Sequence, residues 1–133
     1  MTPDGLTICP SHHGPKETMD RLVAAVTTRG MTVLARIDHA AAAVKVGMEL
    51  RPTEVVLFGN PRGGTPLMQA VQTMGIDLPL KALVWRDEGG KTWLAYNDPK
   101  WLAKRHDAPV GTERTLGAMT EALAAVAKEA TGA

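Results

Sequence analysis

Two polar stretches of this 133-residue chain carry side chains capable of chemistry. In the first, Asp38-His39 follows the alternating run Met31 to Ile37, so a carboxylate and an imidazole stand where a strand passes into a helix. An imidazole titrates near neutrality, so His39 could serve as general acid or base, with Asp38 or another carboxylate raising its basicity. Neighbours on a helix do not face each other squarely, so the same pair also reads as an N-cap, Asp38, followed by a first-turn residue. In the second stretch, Asn60-Pro61-Arg62-Gly63-Gly64-Thr65-Pro66 follows the apolar run Val55 to Phe58 and Gly59. Pro61 stops the strand, the glycine pair makes a pliable loop, and Thr65-Pro66 predicts an N-cap with proline in the first helical position. Backbone N–H groups left unpaired at that helix start would suit an anion or a carbonyl group. The Asn60 amide would either face the ligand or tie the loop.

The elements that position these residues follow from periodicity. Leu6 to Cys9, Met31 to Ile37, Thr53 to Gly59, Leu80 to Arg86 and Lys91 to Tyr96 read as strands. Helices are expected from Pro15 to Arg29, His39 to Val46, Pro66 to Met74, Pro99 to His106, and after Thr112. Asp87-Glu88-Gly89-Gly90 is the clearest hairpin turn, with Trp85 and Trp93 close on either side. The order β-α-β-α-β-α-β-β-α-α, with strands this short, predicts an α+β fold. Its single layer would be a mixed or mostly antiparallel sheet packed against helices. If the second and third strands run parallel and adjacent, Asp38, His39, Asn60 and Thr65 converge at one edge of the sheet. Phe58 and Met68 would then form an apolar wall, and Tyr96 would bring its hydroxyl to the rim. Arg36, Arg51 and Arg62 could reach the same end.

Composition excludes several classes of function. A net charge of +1 gives no electrostatic footprint for nucleic acid. No apolar segment is long enough to span a bilayer, and the N-terminal residues lack a signal-peptide pattern. The lone Cys9 forbids an internal disulfide and suits a reducing compartment, so a cytoplasmic location is expected. Cys9, His12 and His13 form C-x-x-H-H, three soft ligands without the fourth that a closed zinc site needs, so no metal site is expected. Gly59, Gly63 and Gly64 lack the lysine of a phosphate loop, and no cofactor is expected.

Three blocks resemble domain-of-unknown-function family 302: G-M-T-V-L-A-R-I-D-H-A-A-A-A (residues 30–43), M-E-L-R-P-T-E-V-V-L-F-G-N-P-R-G-G-T-P-L-M-Q (48–69) and I-D-L-P-L-K-A-L-V-W (76–85). T-W-L-A-Y-N-D-P (92–99) continues the likeness, which covers about residues 6–106. The resemblance implies one α+β domain that pairs into dimers, with no established activity. His12, His13 and the alanine-rich final helix, about residues 112–130, are the least typical parts. The whole chain, 1–133, reads as one domain. The expectation is a homodimer binding a small anionic or carbonyl-bearing ligand, or a protein partner, at a strand-end cleft. Asp38, His39, Phe58, Asn60, Thr65, Met68 and Tyr96 are the candidates. The alternatives are an enzyme working through His39 and a purely structural subunit.

Overall fold

Alternation within the strands decides how the layers form. Val56, Phe58, Ala82, Val84 and Leu94 are each 2% exposed or less, and they occupy one face of a five-stranded sheet. In the computed structural model, which describes residues 2–132, that sheet contains β1 (Leu6–Pro10), β2 (Thr32–Asp38), β3 (Thr53–Gly59), β4 (Leu80–Arg86) and β5 (Thr92–Asn97). Their spatial order is β1-β5-β4-β3-β2, and every neighbouring pair is antiparallel. The helices are α1 (Pro15–Thr28), α2 (His39–Lys45), α3 (Pro61–Ala70), α4 (Pro99–Arg105) and α5 (Glu113–Thr131), with a 3-10 turn at Gln72–Ile76. The α+β class, the helices on one face and the element order are as the periodicity predicts.

Met19, Leu22 and Val26 of α1 recur at helical spacing and pack with Leu123, Val126 and Ala127 of α5 on the buried sheet face. A second cluster joins Leu67 of α3, Met74, Leu102 and Ala103 of α4, and Leu116 and Met119 of α5. The first half of α5 therefore closes one end of the sheet, and its second half covers the middle.

The β4–β5 hairpin forms where expected, with Trp85 directly opposite Trp93. Asp87 organises the turn: its carboxylate accepts from the Lys91 backbone N–H at 2.9 Å and from the Trp93 indole N–H at 2.8 Å. These bonds hold the Asp87 carboxyl below the usual carboxylate range, the indole N–H contributing most. Before β1, Gly5 has φ +77° and lies against the Trp101 ring, and an added Cβ would fall 2.2 Å from the Trp101 Cδ2. Only glycine fits there.

One expectation about pairing fails. β2 and β3 are antiparallel, with Thr32 opposite Gly59 and Asp38 opposite Glu54. A parallel pair needs a crossover that returns along the whole strand. The connection over residues 39–52, with α2 among them, is long enough to serve either direction, and here it turns the chain back beside β2. Arg36 fixes the pairing from the helix side, donating to Glu54 at 2.7 Å and to Asp20 of α1 at 3.1 Å.

Candidate functional site

The strand end that carries Asn60 opens into a groove of about 750 Å³. Its walls come from four parts of the chain: Met31, Thr32 and Leu34 at the start of β2; Asn60 to Thr65 and Met68 of α3; Leu78 to Leu80; and Arg114, Ala118, Met119 and Ala122 of α5. The volume lies within the range of small-molecule sites. Leu34 reaches the groove because the register slips between Val33 and Ala35, leaving Leu34 as the extra residue of a β-bulge. Its apolar side chain, 61% exposed, serves this wall.

The start of α3 differs from the Thr65-Pro66 expectation. Asn60 is the N-cap and Pro61 the first helical residue, so Thr65 and Pro66 lie inside the helix. Both Asn-Pro and Thr-Pro can open a helix, and the earlier pair wins because it satisfies the first turn. The Asn60 side-chain oxygen accepts from the Arg62 N–H at 3.0 Å, and its backbone carbonyl accepts from Gly63 and Gly64 at 2.8 and 3.1 Å. Pro61 has no N–H to satisfy. The α3 terminus therefore has no free first-turn amides for an anion. Of the two roles considered for Asn60, tying the loop is the one its side-chain oxygen performs, at a residue that also lines the groove.

The charge available to a ligand comes from side chains instead. Arg62 of α3 and Arg114 of α5 both line the groove, and among the described residues neither has an ion-pair partner. Of the three arginines expected to converge, only Arg62 is here. Arg36 is bound to Glu54 and Asp20, and Arg51 lies beside Val44 and Leu50 in the connection after α2.

The remaining candidates are dispersed. Asn60, Thr65 and Met68 line the groove. Asp38 stands six residues along β2 from Thr32, roughly 20 Å away at the other end of the strand, and His39 follows it as the first residue of α2. Asp38 caps α2, accepting from the Ala41 N–H at 2.9 Å, and His39 is exposed. The acid/base pairing of His39 with an anion held at Asn60 is thus ruled out by the antiparallel register. Phe58 is 0% exposed and belongs to the core beneath the sheet rather than to a ligand wall. Tyr96 packs on the same core and does not border the groove, and burial pushes its phenol up. Burial likewise raises the Cys9 thiol. His13, near Cys9 in sequence, has both ring nitrogens engaged, with Glu17 at 2.8 Å and the Gly132 carbonyl at 2.5 Å.

Sequence reasoning missed the α5 wall entirely. Arg114, Ala118 and Ala122 recur every four residues beside the buried stripe, a pattern that marks a second helix face but not its neighbour. It also missed a string in which the His106 imidazole links the Thr73 hydroxyl at 2.9 Å to the Asp77 carboxylate at 2.5 Å, with Arg105 donating to the same carboxylate at 2.9 Å. None of these residues borders the groove. They fasten the end of α4 to the 3-10 turn.

Comparison with known proteins agrees on the fold. A crystal structure of an uncharacterized conserved DUF302 protein from Bacillus stearothermophilus superposes with a TM-score of 0.85, covering 96% of this chain and 99% of that one at 19% identity. The chain is also 44% identical over 128 residues to proteins named fluoride-specific ion channel FluC 1 from Brucella suis biovar 1 (strain 1330) and Brucella abortus biovar 1 (strain 9-941). That match takes in 96% of this chain but only 50% and 47% of those proteins, so the chain spans about half the length of the curated relatives it matches. No described helix is long and apolar enough to cross a membrane. The family described as domain of unknown function DUF302 matches residues 8–126, nearly the whole chain, and the protein belongs to it.

Proposed function

We propose that this chain is a binding module for an amphipathic anion, a small molecule with an apolar body and a carboxylate or phosphate head. The observation that carries the reading is an apolar groove lined by two arginines, Arg62 of α3 and Arg114 of α5, and by no carboxylate. Met31, Leu34, Met68, Leu78 and Met119 offer the apolar length, with thioethers that adapt to different chain shapes. A guanidinium gives a carboxylate or phosphate a bidentate partner. Thr65 and Asn60 add neutral polar residues to the same lining. A site of this kind binds and positions; the groove lining contains no histidine, cysteine or acidic residue to carry proton transfer or nucleophilic attack. With a single, half-buried cysteine, we place the module in the cytoplasm.

The test is calorimetric titration of the full chain with decanoate and decyl phosphate, against decanol and decylammonium as matched controls. Each charge-assisted contact contributes roughly 1.5–3 kcal/mol, so decanoate should bind at least about tenfold tighter than decanol. Arg62→Ala combined with Arg114→Ala should remove that preference. Equal binding of decylammonium and decanoate, or a preference that survives the double substitution, would refute the reading.

The relatives favour a second reading of context. Proteins named for fluoride conduction contain a region 44% identical to nearly all of this chain, within about twice its length. Because no described helix here can cross a membrane, we read that region as an appended domain, with the channel in the remainder. This chain would then act beside such a channel. Co-expression with a fluoride channel lacking the region, followed by fluoride efflux assays, tests it. Efflux identical with and without this chain would count against the pairing.

A further inference from the structure

One wall of the groove is also a free edge of the sheet. Met31, Thr32 and Leu34 border the groove, and Thr32 begins β2, whose one strand neighbour among the described residues is β3. An antiparallel strand gives alternate N–H and C=O groups to its partner, so β2 turns the other half outward. No loop or turn among the described residues bonds to the backbone of residues 32–35 outside the sheet. Such a row is a template for a further strand unless charge, proline or a bulge guards it. Here the guards are unevenly placed. Arg36 and Asp38 stand toward the end far from the groove, whereas Thr32-Val33-Leu34-Ala35 has neither charge nor proline. The bulge at Leu34 keeps regular pairing short and gives this exposed leucine to the groove. The open edge and the groove therefore meet at the same residues. None of the groove's lining comes from β1, the strand at the other edge.

We infer, resting on the proposed anion site, that its ligand is the carboxyl-terminal segment of an extended peptide, which adds to the edge of β2 as a further strand. Two observations select this occupant. The first is charge: Arg62 and Arg114 line the groove with no carboxylate beside them, which suits a peptide's terminal carboxylate as well as a fatty-acid head. The second is the edge, which separates those two ligands. An acyl chain leaves the outward N–H and C=O groups of β2 to water, and only another backbone pairs with them. Direction follows from position. The groove lies at the start of β2, so a peptide that ends there runs antiparallel to β2, as every neighbouring pair in this sheet does. Thr32 to Ala35 extend over about 13 Å, room for three or four peptide residues. The last peptide side chain is then an apolar one, set against the lining of Met31, Leu34 and Met68.

Fluorescence anisotropy of the full chain with a labelled Gly-Lys-Thr-Thr-Val-Thr-Leu peptide tests the ligand class. Amidation of the peptide's carboxyl terminus should weaken binding at least about tenfold, the loss of a charge-assisted contact. N-methylation of successive peptide amides, one at a time, should alternate between a loss of about tenfold and little change, because strand pairing repeats every two residues. A scan without that alternation would overturn the inference, as would no binding up to about 1 mM peptide. Hydrogen exchange locates the peptide: at saturation the fast-exchanging amides among residues 32–35 should slow at least about tenfold, with those of β1 unchanged. Protection at β1 instead, or none gained at residues 32–35, would sink it. So would a free chain in which every amide of residues 32–35 is already slow at micromolar concentration, since another copy would then occupy the edge. Decanoate keeps the two proposals separate. Decanoate held through the arginines, with no alternating peptide scan, fails the peptide and leaves the anion site standing. Peptide binding undiminished by Arg62→Ala combined with Arg114→Ala fails the anion site itself, and the role of the terminal carboxylate with it.

Discussion

Asn60 offers the sharpest test of how fold and ligand share one residue, because two substitutions there should move stability and affinity in opposite senses. Its side-chain oxygen accepts from the Arg62 N–H at 3.0 Å, capping α3, and the residue also lines the groove. Asn60→Ala removes the cap. The cost of losing such a cap is about 1 kcal/mol, which for a domain of 133 residues lowers Tm by about 4 °C. Anion affinity should fall by no more than a few-fold, because the arginines remain. Asn60→Asp keeps an oxygen acceptor in the same place and puts a negative charge at a helix N-terminus, which is stabilising by about 0.3–1 kcal/mol. Against an anionic head taken to lie about 7 Å away, at an effective dielectric of about 40, the repulsion is ~1.2 kcal/mol, roughly an eightfold loss of affinity. Differential scanning calorimetry and decanoate titration on both variants read the two effects. Two results would refute the reasoning: Asn60→Asp melting several degrees below wild type, or Asn60→Asp binding decanoate as tightly as Asn60→Ala.

The other predictions rest on single features. The Asp87 carboxyl has its pKa lowered from the ordinary 3.8 by the Trp93 indole and the Lys91 amide, so its stabilising effect is complete above that value and is lost as the pH falls through the folded-state value. Asp87→Asn should therefore melt lower than wild type at pH 7, with the gap closing in acid; a gap independent of pH would contradict it. Burial raises the Cys9 thiol, so the native protein should react more slowly with a disulfide reagent at pH 8 than the urea-unfolded chain. Equal rates would show an open thiol. Gly5→Ala forces a left-handed conformation costing about 1–2 kcal/mol and drives a methyl into Trp101, so Tm should fall by at least about 4 °C with a change in tryptophan emission. An unchanged melting curve would mean that the N-terminal segment does not dock on α4.

What the sequence determined by itself was whatever depends on residues a few positions apart. The caps at Asp38 and Asp98, the Asp87–Gly90 turn and the apolar stripes of α1 and α5 are all local, and each element appears where those signals put it. The family resemblance was readable for the same reason, since its blocks are contiguous. Competition between two local signals already blurs this: Asn60-Pro61 and Thr65-Pro66 both announce a helix, and only the hydrogen bonds made by the first turn choose between them. Tertiary structure alone decided the direction of β2 against β3. The connection over residues 39–52 is long enough for either direction, and the antiparallel register it joins sends Asp38 and His39 to the end opposite Asn60. It also decided that Arg114 lines the same groove as Arg62, residues 52 positions apart that only the packing of α5 beside α3 brings to one site. Periodicity marked which strand residues alternate, but both faces of β3, β4 and β5 read as apolar. Only the packing of α1 and α5 shows which face became the core and which was left open.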